Sequence, residues 1–537
     1  MNKSGESNPG GRGVDRDRWA FSESGPWILD PAEIRWNNGL QALRESVQAE
    51  VPHLIRNRFA PPLGRCLSAG GRVGWALVAW KLRESRSAGP VSRAALARRL
   101  REAFESLGPA YIKVGQILST GASFLPKEFV DEFKRCRDEV APEPFDVIKS
   151  VIEEDLGRPL EEVFSSFDRD SLAAASIAQV HAATLITGER VVVKVQRARV
   201  SESVHHDIAA MAWIARKLVG RIPAAALANL PALVEFFAET ILEEMDFRLE
   251  AENMLDIAKV LRDGGQTMIV VPRPHPELVT RRVLVMERLE GFNCVDIEAI
   301  ERAGIDTEEV LASLMIAFFE GALIYGVFHG DIHGGNFLIM PDGRVALLDY
   351  GITGRLQEKE RIAFLRMGML ANDRRGQLEA FRDLGAFGDD IDIDELMRVL
   401  NVEQSDSDRK DSTKMSPQEV TSGMQETLNE LLALGGRLPK PLMLYLKDMI
   451  FFDSATAELA PDINVFNHIT RIFGYLAERH GATIAEQIGV EPTLNPFDLT
   501  RLKESMGLDE EAAEALTHRD LVAQRKEMIE KMRRSKT

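Results

Sequence analysis

Cysteine is scarce in this chain of 537 residues: Cys66, Cys136 and Cys294 are all it has. Three thiols so far apart exclude a disulfide framework and a zinc knuckle, and a reducing compartment is expected. Long apolar runs are missing too. The best candidate, Val73 to Leu82, is far shorter than the ~20 residues a bilayer span needs. No transmembrane helix is therefore expected. The first thirty residues are polar and glycine-rich, without the apolar run of a secretory signal. A surplus of positive charge is absent as well, since the formal net charge is −17. That balance argues against nucleic acid as a partner, which would need a basic face. A cytoplasmic location is the expectation.

What is present suits a large globular protein. The length exceeds one ordinary domain, and a hydrophobic fraction of 45% can fill a sizeable core. Residues 1–30 have too little apolar surface to offset ordering and are expected to be disordered. Amphipathic helical patterning then runs from about Pro31 to Phe133, giving an extension over 31–150. From Val151 to Phe167 the pattern reads as a helix and a turn. Ala182–Ile186 and Arg190–Gln196 read as strands around Thr187-Gly188-Glu189. A long helical stretch follows from about Ser203 to Leu261, then short strands at Met268–Val271 and Val283–Glu287. An apolar helix runs from Thr307 to Tyr325. Phe337–Met340 and Val345–Leu348 flank the turn Pro341-Asp342-Gly343. The remainder reads as helix, with a polar loop at Glu403–Ser416. The layout is α+β: a small mixed lobe over 151–290, a helical lobe over 291–480 and a basic helical tail over 481–537.

Chemistry concentrates in His329-Gly330-Asp331-Ile332-His333-Gly334-Gly335-Asn336. An Asp followed five positions later by an Asn, on a loop entering a hairpin, is the protein-kinase catalytic-loop arrangement. Asp331 would sit near the acceptor hydroxyl, and Asn336 would hold Mg²⁺. The hairpin ends in Asp349-Tyr350-Gly351, a variant of the kinase Asp-Phe-Gly whose Asp bridges metal and phosphates. The spacing lets strand, turn and strand return Asp349 beside Asn336, and two hard oxygen ligands suit Mg²⁺. His329 stands where kinases use a structural histidine.

Upstream, Val191-Val192-Val193-Lys194 ends a β-branched strand in lysine, the position that pairs with ATP phosphates. Such a lysine needs a carboxylate on a helix, and the run Glu243 to Glu250 offers several. Ala173, Ala174, Ala175 and Ser176 occupy the place of the usual glycine-rich phosphate loop, where alanine allows a narrower set of conformations. Met286 and Glu287, closing a strand, complete the candidate nucleotide-binding set.

These residues also resemble a family. Lys113-Val114-Gly115-Gln116 is similar to the KxGQ motif of the UbiB/AarF-like atypical kinases. SLAAASIAQVHAA resembles their alanine-rich loop, and Glu244-Met245-Asp246 resembles their ExD motif. The likeness covers roughly residues 100–480, with the motifs in the family's order. It implies a two-lobed protein-kinase-like fold whose N-terminal extension lays Lys113, Gly115 and Gln116 over the active site. Lys113 would then act at the site against Glu244 and Asp246, and Lys194 would pair with Glu250. It further implies ATP and Mg²⁺ as cofactors, ATPase activity stimulated at membranes, and a role in isoprenoid quinone or related lipid metabolism. An isoprenoid lipid or quinone precursor and lipid-biosynthesis enzymes would be partners. The chain departs from the family pattern after Ser119-Thr120, where Gly121-Ala122-Ser123 stands in place of an expected Arg. Its catalytic loop has Gly rather than Ala after His329.

The segment Arg56–Arg86 carries Trp75, Trp80 and several arginines, and Arg525–Lys536 is basic. Both suit peripheral contact with the inner face of a membrane. Two other readings stay open. His329-Gly330-Asp331 also fits a small-molecule phosphotransferase of the choline or aminoglycoside kinase type. A nucleotide-sensing scaffold without turnover is the second.

Overall fold

The computed structural model describes Gly25, Trp27, Leu29 and residues 34–56, 63–85, 89–119, 127–133, 135–136, 141–218, 230–369, 374–387, 392–399, 439–489 and 515–523. The polar segment Glu403–Ser416, residues 121–123 and the basic stretch from Arg525 lie outside them. Among the described residues, no helix is long and apolar enough to cross a membrane.

Five helices open the chain: α1 (Leu40–Leu54), α2 (Leu63–Arg83), α3 (Gly89–Leu107), α4 (Pro109–Ser119) and α5 (Lys127–Phe133). α6 (Phe145–Leu156) ends at Gly157, whose φ of 68° is the left-handed stop a helix terminus favours. A five-stranded antiparallel sheet follows, in the order β1-β2-β3-β6-β5. Its strands are β1 (Phe164–Ala174), β2 (Ala178–Leu185), β3 (Arg190–Gln196), β5 (Pro274–Val279) and β6 (Val283–Glu287). Period-two alternation in β3 puts Val191, Val193 and Val195 on one fully buried face. There they pack with Ile148, Val151 and Ile152 of α6 and with Val283 and Val285 of β6. The same alternation sends Lys194 to the opposite face.

Among the described residues between β3 and β5 are the helices α7 (Val200–Leu218), α8 (Leu230–Glu244) and α9 (Phe247–Gly264). The short strand β4 (Ile269–Val270) comes after them. Asp246 breaks the helical run by capping α9, its carboxylate accepting from Arg248 N–H at 3.1 Å. That cap fixes where α9 starts and therefore where Glu250 points. β7 (Phe292–Asn293) and α10 (Ile297–Arg302) lead into α11 (Thr307–Glu320), which is buried along nearly its whole length and continues as a wider turn over Gly321–Tyr325. Gly326, at φ 72°, turns the chain into β8 (Val327–His329). β9 (Phe337–Ile339), β10 (Val345–Leu347) and β11 (Thr353–Arg355) complete two small sheets, β4-β10-β9-β7 and β11-β8. α12 (Glu358–Met369), α13 (Arg374–Asp383), α14 (Ile393–Val399), α15 (Lys440–Leu459) and α16 (Val465–Ile488) finish the helical part. Phe318 of α11 is its aromatic centre, touching Phe328, Tyr445 and Phe452 with centroids 5.3 to 5.4 Å away.

The architecture is the expected α+β, kinase-like one, with corrections in detail. The segment read as helix and turn over 151–167 is the end of α6 followed by the start of β1. The single helix expected from Ser203 to Leu261 is broken at Asp246, which caps the start of α9. The part read as wholly helical contains β11. Trp27 and Leu29, placed in a disordered tail, are held: Trp27 Nε1 donates to Pro274 O at 3.0 Å, its ring packs on His275, and Leu29 is buried.

His275 supports a pH prediction. Its Nδ1 accepts from Glu277 and Leu278 N–H, both at 3.1 Å, which requires the neutral ring. Burial lowers its pKa from 6.5 to about 4. Between those values the unfolded chain binds the extra proton, so stability is present above pH 6.5 and is lost as pH falls toward 4. Chemical denaturation at pH 5 and pH 7.5 should show a smaller drop for His275→Gln than for the native chain.

Candidate active site

Lys194 is the centre of the cleft face. Its Nζ lies 2.6 Å from Glu250 Oε1 and 3.2 Å from Asp349 Oδ2. Strand β3 delivers the lysine, the first turn of α9 delivers Glu250, and the residues after β10 deliver Asp349. Burial opposes the charge on Lys194, but the carboxylates of Asp349 and Glu250 outweigh it and hold the ammonium protonated far above its ordinary range. Burial also opposes ionisation of Asp349. The Lys194 charge and the Gly351 N–H win, keeping its pKa at about 2.

The catalytic-loop residues assemble around the same point. His329 Nε2 donates to the Asp349 carbonyl, and its Nδ1 accepts from Asp331 N–H at 3.2 Å. Acceptance at Nδ1 needs the neutral ring, and burial lowers the His329 pKa accordingly. Asn336 Nδ2 donates to Asp331 O at 2.9 Å, leaving the side-chain oxygen as a metal donor. Leu348 N–H donates to Asn336 O at 2.8 Å, so the β9–β10 hairpin returns Asp349 beside Asn336. His333 Nδ1 accepts from Gly335 N–H at 3.0 Å, a bond that shapes the loop.

From the extension, Lys113 Nζ reaches Glu244 Oε1 at 2.8 Å, and Glu244 is 7% exposed. Gly115 is where α4 meets α5: a Cβ there would lie 2.6 Å from Cys136 Sγ. Gln116 sits one turn beyond Lys113 on the same side of α4. Asp246 departs from expectation. Its carboxylate is engaged by its own neighbour Arg248, at 2.9 Å to Nε and 2.7 Å to Nη2, so it caps α9 instead of meeting Lys113.

The alanine-rich segment is more regular than a phosphate loop. Ala173 and Ala174 close β1, paired with Val180 and Gln179. The tight turn is Ala175 to Ile177, fixed by Ala175 N–H donating to Ala178 O at 2.8 Å. Arg197 Nε donates to Ala175 O at 3.0 Å, and Ser176 is buried. Met286 and Glu287 end β6, opposite Val192 and Val191, and Glu287 Oε2 accepts from Arg273 N–H at 3.3 Å.

Three contributors escaped the sequence reading. Asn253 on α9 donates to Tyr350 O at 2.8 Å and accepts from Arg44 and Arg355 at 2.7 and 2.8 Å. It thereby ties α1 and α9 to the residues after Asp349. Lys447 and Asp448 on α15 are the other two. Lys447 Nζ pairs with the Asp331 carboxylate, and Asp448 Oδ1 accepts from Ile332 N–H at 3.1 Å. A Lys-Asp pair inside the otherwise apolar run Leu442 to Phe452 was the available signal, because buried charge needs a partner.

Three lysines, Lys113, Lys194 and Lys447, thus face four carboxylates, Glu244, Glu250, Asp331 and Asp349. The Asp349 side chain is 40% exposed, and with the side-chain oxygen of Asn336 it makes a hard oxygen donor set that fits a small divalent cation accompanied by phosphate. A site so arranged defines a kinase-like protein. The comparisons agree: residues 135–378 match the ABC1 atypical kinase-like domain. An uncharacterised chloroplastic aarF domain-containing protein kinase of Arabidopsis thaliana is 31% identical over 68% of this chain and 72% of its own length. The chloroplastic Protein ACTIVITY OF BC1 COMPLEX KINASE 1 of the same plant is 32% identical over 71% of this chain, which spans 55% of that relative. A probable protein kinase UbiB of Marinobacter nauticus is 34% identical over 52% of this chain and 51% of its own. The chain belongs to the ABC1 atypical kinase-like family.

Removing one partner of a buried pair strands the other. Lys113→Met should destabilise the fold by about 3 kcal/mol, because Glu244 stays buried without its counter-charge. Adding Glu244→Gln should return most of that loss in chemical denaturation.

Proposed function

We propose that this chain is a Mg²⁺-dependent ATPase or phosphotransferase that supports isoprenoid quinone or related lipid metabolism. The observation that carries the reading is the Lys194 ammonium held between Glu250 and Asp349. That bridge orders α9, β3 and the Asp349 segment into the arrangement that phosphoryl transfer requires.

In this reading Lys194 orients the α- and β-phosphates of ATP. Asn336 Oδ1 and the Asp349 carboxylate are the donors that would hold Mg²⁺, which supplies charge neutralisation across the phosphates when bound. Asp331 stays ionised: burial opposes its charge, and Lys447, Lys113 and His333 together hold its pKa well below the usual carboxylate range. It therefore positions an attacking water or hydroxyl by accepting its hydrogen bond, without acting as a strong base. Met286 and Glu287, at the end of β6, lie where the chain crosses between lobes and would border the nucleotide base. Ala173 to Ser176 would cover the phosphates.

Lys113 favours hydrolysis over phosphorylation of a protein in trans. It pairs with Glu244, and its charge is felt by both Asp331 and Asp349, which supports the reading that α4 covers the acceptor side of the cleft. A small-molecule phosphotransferase would leave that side open.

Helix α2 supports membrane contact. Its small residues Ala69, Ala76 and Ala79 are buried, whereas Leu67, Trp75, Val78 and Leu82 face solvent, three of them more than two-thirds exposed. The spacing 67, 75, 78, 82 is one helical face. Large apolar residues outside and alanines inside invert the usual pattern of a core helix, and exposed Lys81 and Arg83 flank the stripe. The inner face of a membrane is the expected location of this contact, with an isoprenoid lipid or quinone precursor, or an enzyme of its synthesis, as the partner.

Purified protein with Mg²⁺-ATP should release ADP, faster with anionic liposomes than without. Asp349→Asn and Lys194→Met should each lower turnover at least a hundredfold, on the order seen when a key electrostatic group is lost. ATP binding without any ADP would favour the scaffold alternative. Trp75→Glu with Leu82→Glu should abolish flotation on anionic vesicles; unchanged flotation would remove α2 from the account.

A further inference from the structure

We propose that Lys447 is a positioning residue for Asp331, an inference that rests on the ATP-hydrolysing reading above. The pair Lys447-Asp448 holds three successive residues of the catalytic loop. Lys447 Nζ donates to Gly330 O at 3.3 Å and to the Asp331 carboxylate, while Asp448 Oδ1 accepts from Ile332 N–H at 3.1 Å. The loop and α15 lie more than a hundred residues apart in sequence, so neither motif reading nor spacing connects them.

The two residues divide the work by exposure. Asp448 is fully buried and anchors backbone. Lys447 keeps 22% of its side chain exposed and sets its ammonium against the carboxylate that meets the nucleophile. Close packing narrows the alternatives: a Cβ on Gly330 would lie 3.1 Å from both Ile352 and Leu444, the latter one turn before Lys447. The loop is thus seated on α15 by shape and aimed by charge.

The need for a cation here follows from the neighbours. Glu244 and Asp349 both bear on Asp331 electrostatically, and Lys113 and Lys194 are already engaged with Glu244, Glu250 and Asp349. Without Lys447, Asp331 would lose its directly bonded cation and be left with the more distant charges of Lys113 and His333 against the acids around it. A displaced nucleophile-orienting group costs turnover while leaving ATP binding intact.

Steady-state ADP release by the full chain tests this. Lys447→Met should lower kcat about a hundredfold with KM for ATP within about twofold, and Lys447→Arg should restore kcat to within about tenfold. A Lys447→Met kcat within about threefold of the native value overturns the proposal, as does a loss in KM and thermal stability together that Arg fails to rescue. Should the native chain release no ADP, the ATP-hydrolysing reading fails by itself. Lysine labelling with an amine-reactive reagent then decides: Lys447 should react faster in Asp331→Asn than in the native chain, and equal rates overturn the pairing.

Discussion

Everything at the cleft depends on one buried ammonium. Lys194 cannot leave Glu250 or Asp349 without stranding a carboxylate in a low-dielectric interior, and the cost of that is several kcal/mol. The bridge therefore fixes the position of α9 relative to β3 and brings the residues after β10 to the same point. Asn253, one turn along α9 from Glu250, repeats the tie by donating to the Tyr350 carbonyl and accepting from the guanidinium groups of Arg44 and Arg355. Charge and hydrogen bonding thus lock the same helix from two sides.

The extension is built into this lock. Arg44 of α1 pairs with Glu252 at 2.6 Å, and Lys113 of α4 pairs with Glu244 just before α9 begins. α2 joins through Arg65, whose Nη2 lies 2.6 Å from Asp207, a carboxylate 1% exposed. The buried Asp207 in this way ties α2 to α7, against which α4, the helix that carries Lys113, also packs.

The sequence was most legible where chemistry demands particular residues in fixed order. The spacing of Asp331, Asn336 and Asp349 implied a hairpin that returns the last beside the second, and the β9–β10 pairing makes that return. The valine-rich run Arg190–Gln196 read as a strand carrying Lys194, and β3 spans those residues. What escaped was non-local. Asp246 looked like a partner for Lys113, yet its own Arg248 and the α9 terminus claim it, because a cap bond is satisfied locally before any distant contact forms. β1 was hidden because its exposed, polar residues lack strand patterning and it gains order only by pairing with β2. Lys447 and Asp448 were visible only as an oddity in an apolar helix, since nothing local says which loop they hold.

The central claim is that Asn336 and Asp349 hold a metal with the nucleotide that Lys194 orients. Isothermal titration of a non-hydrolysable ATP analogue, with and without Mg²⁺, tests it most directly. The account predicts one site per chain whose affinity collapses when Mg²⁺ is withheld and in Asp349→Asn. Equal affinity with and without Mg²⁺, unchanged by that substitution, would contradict it.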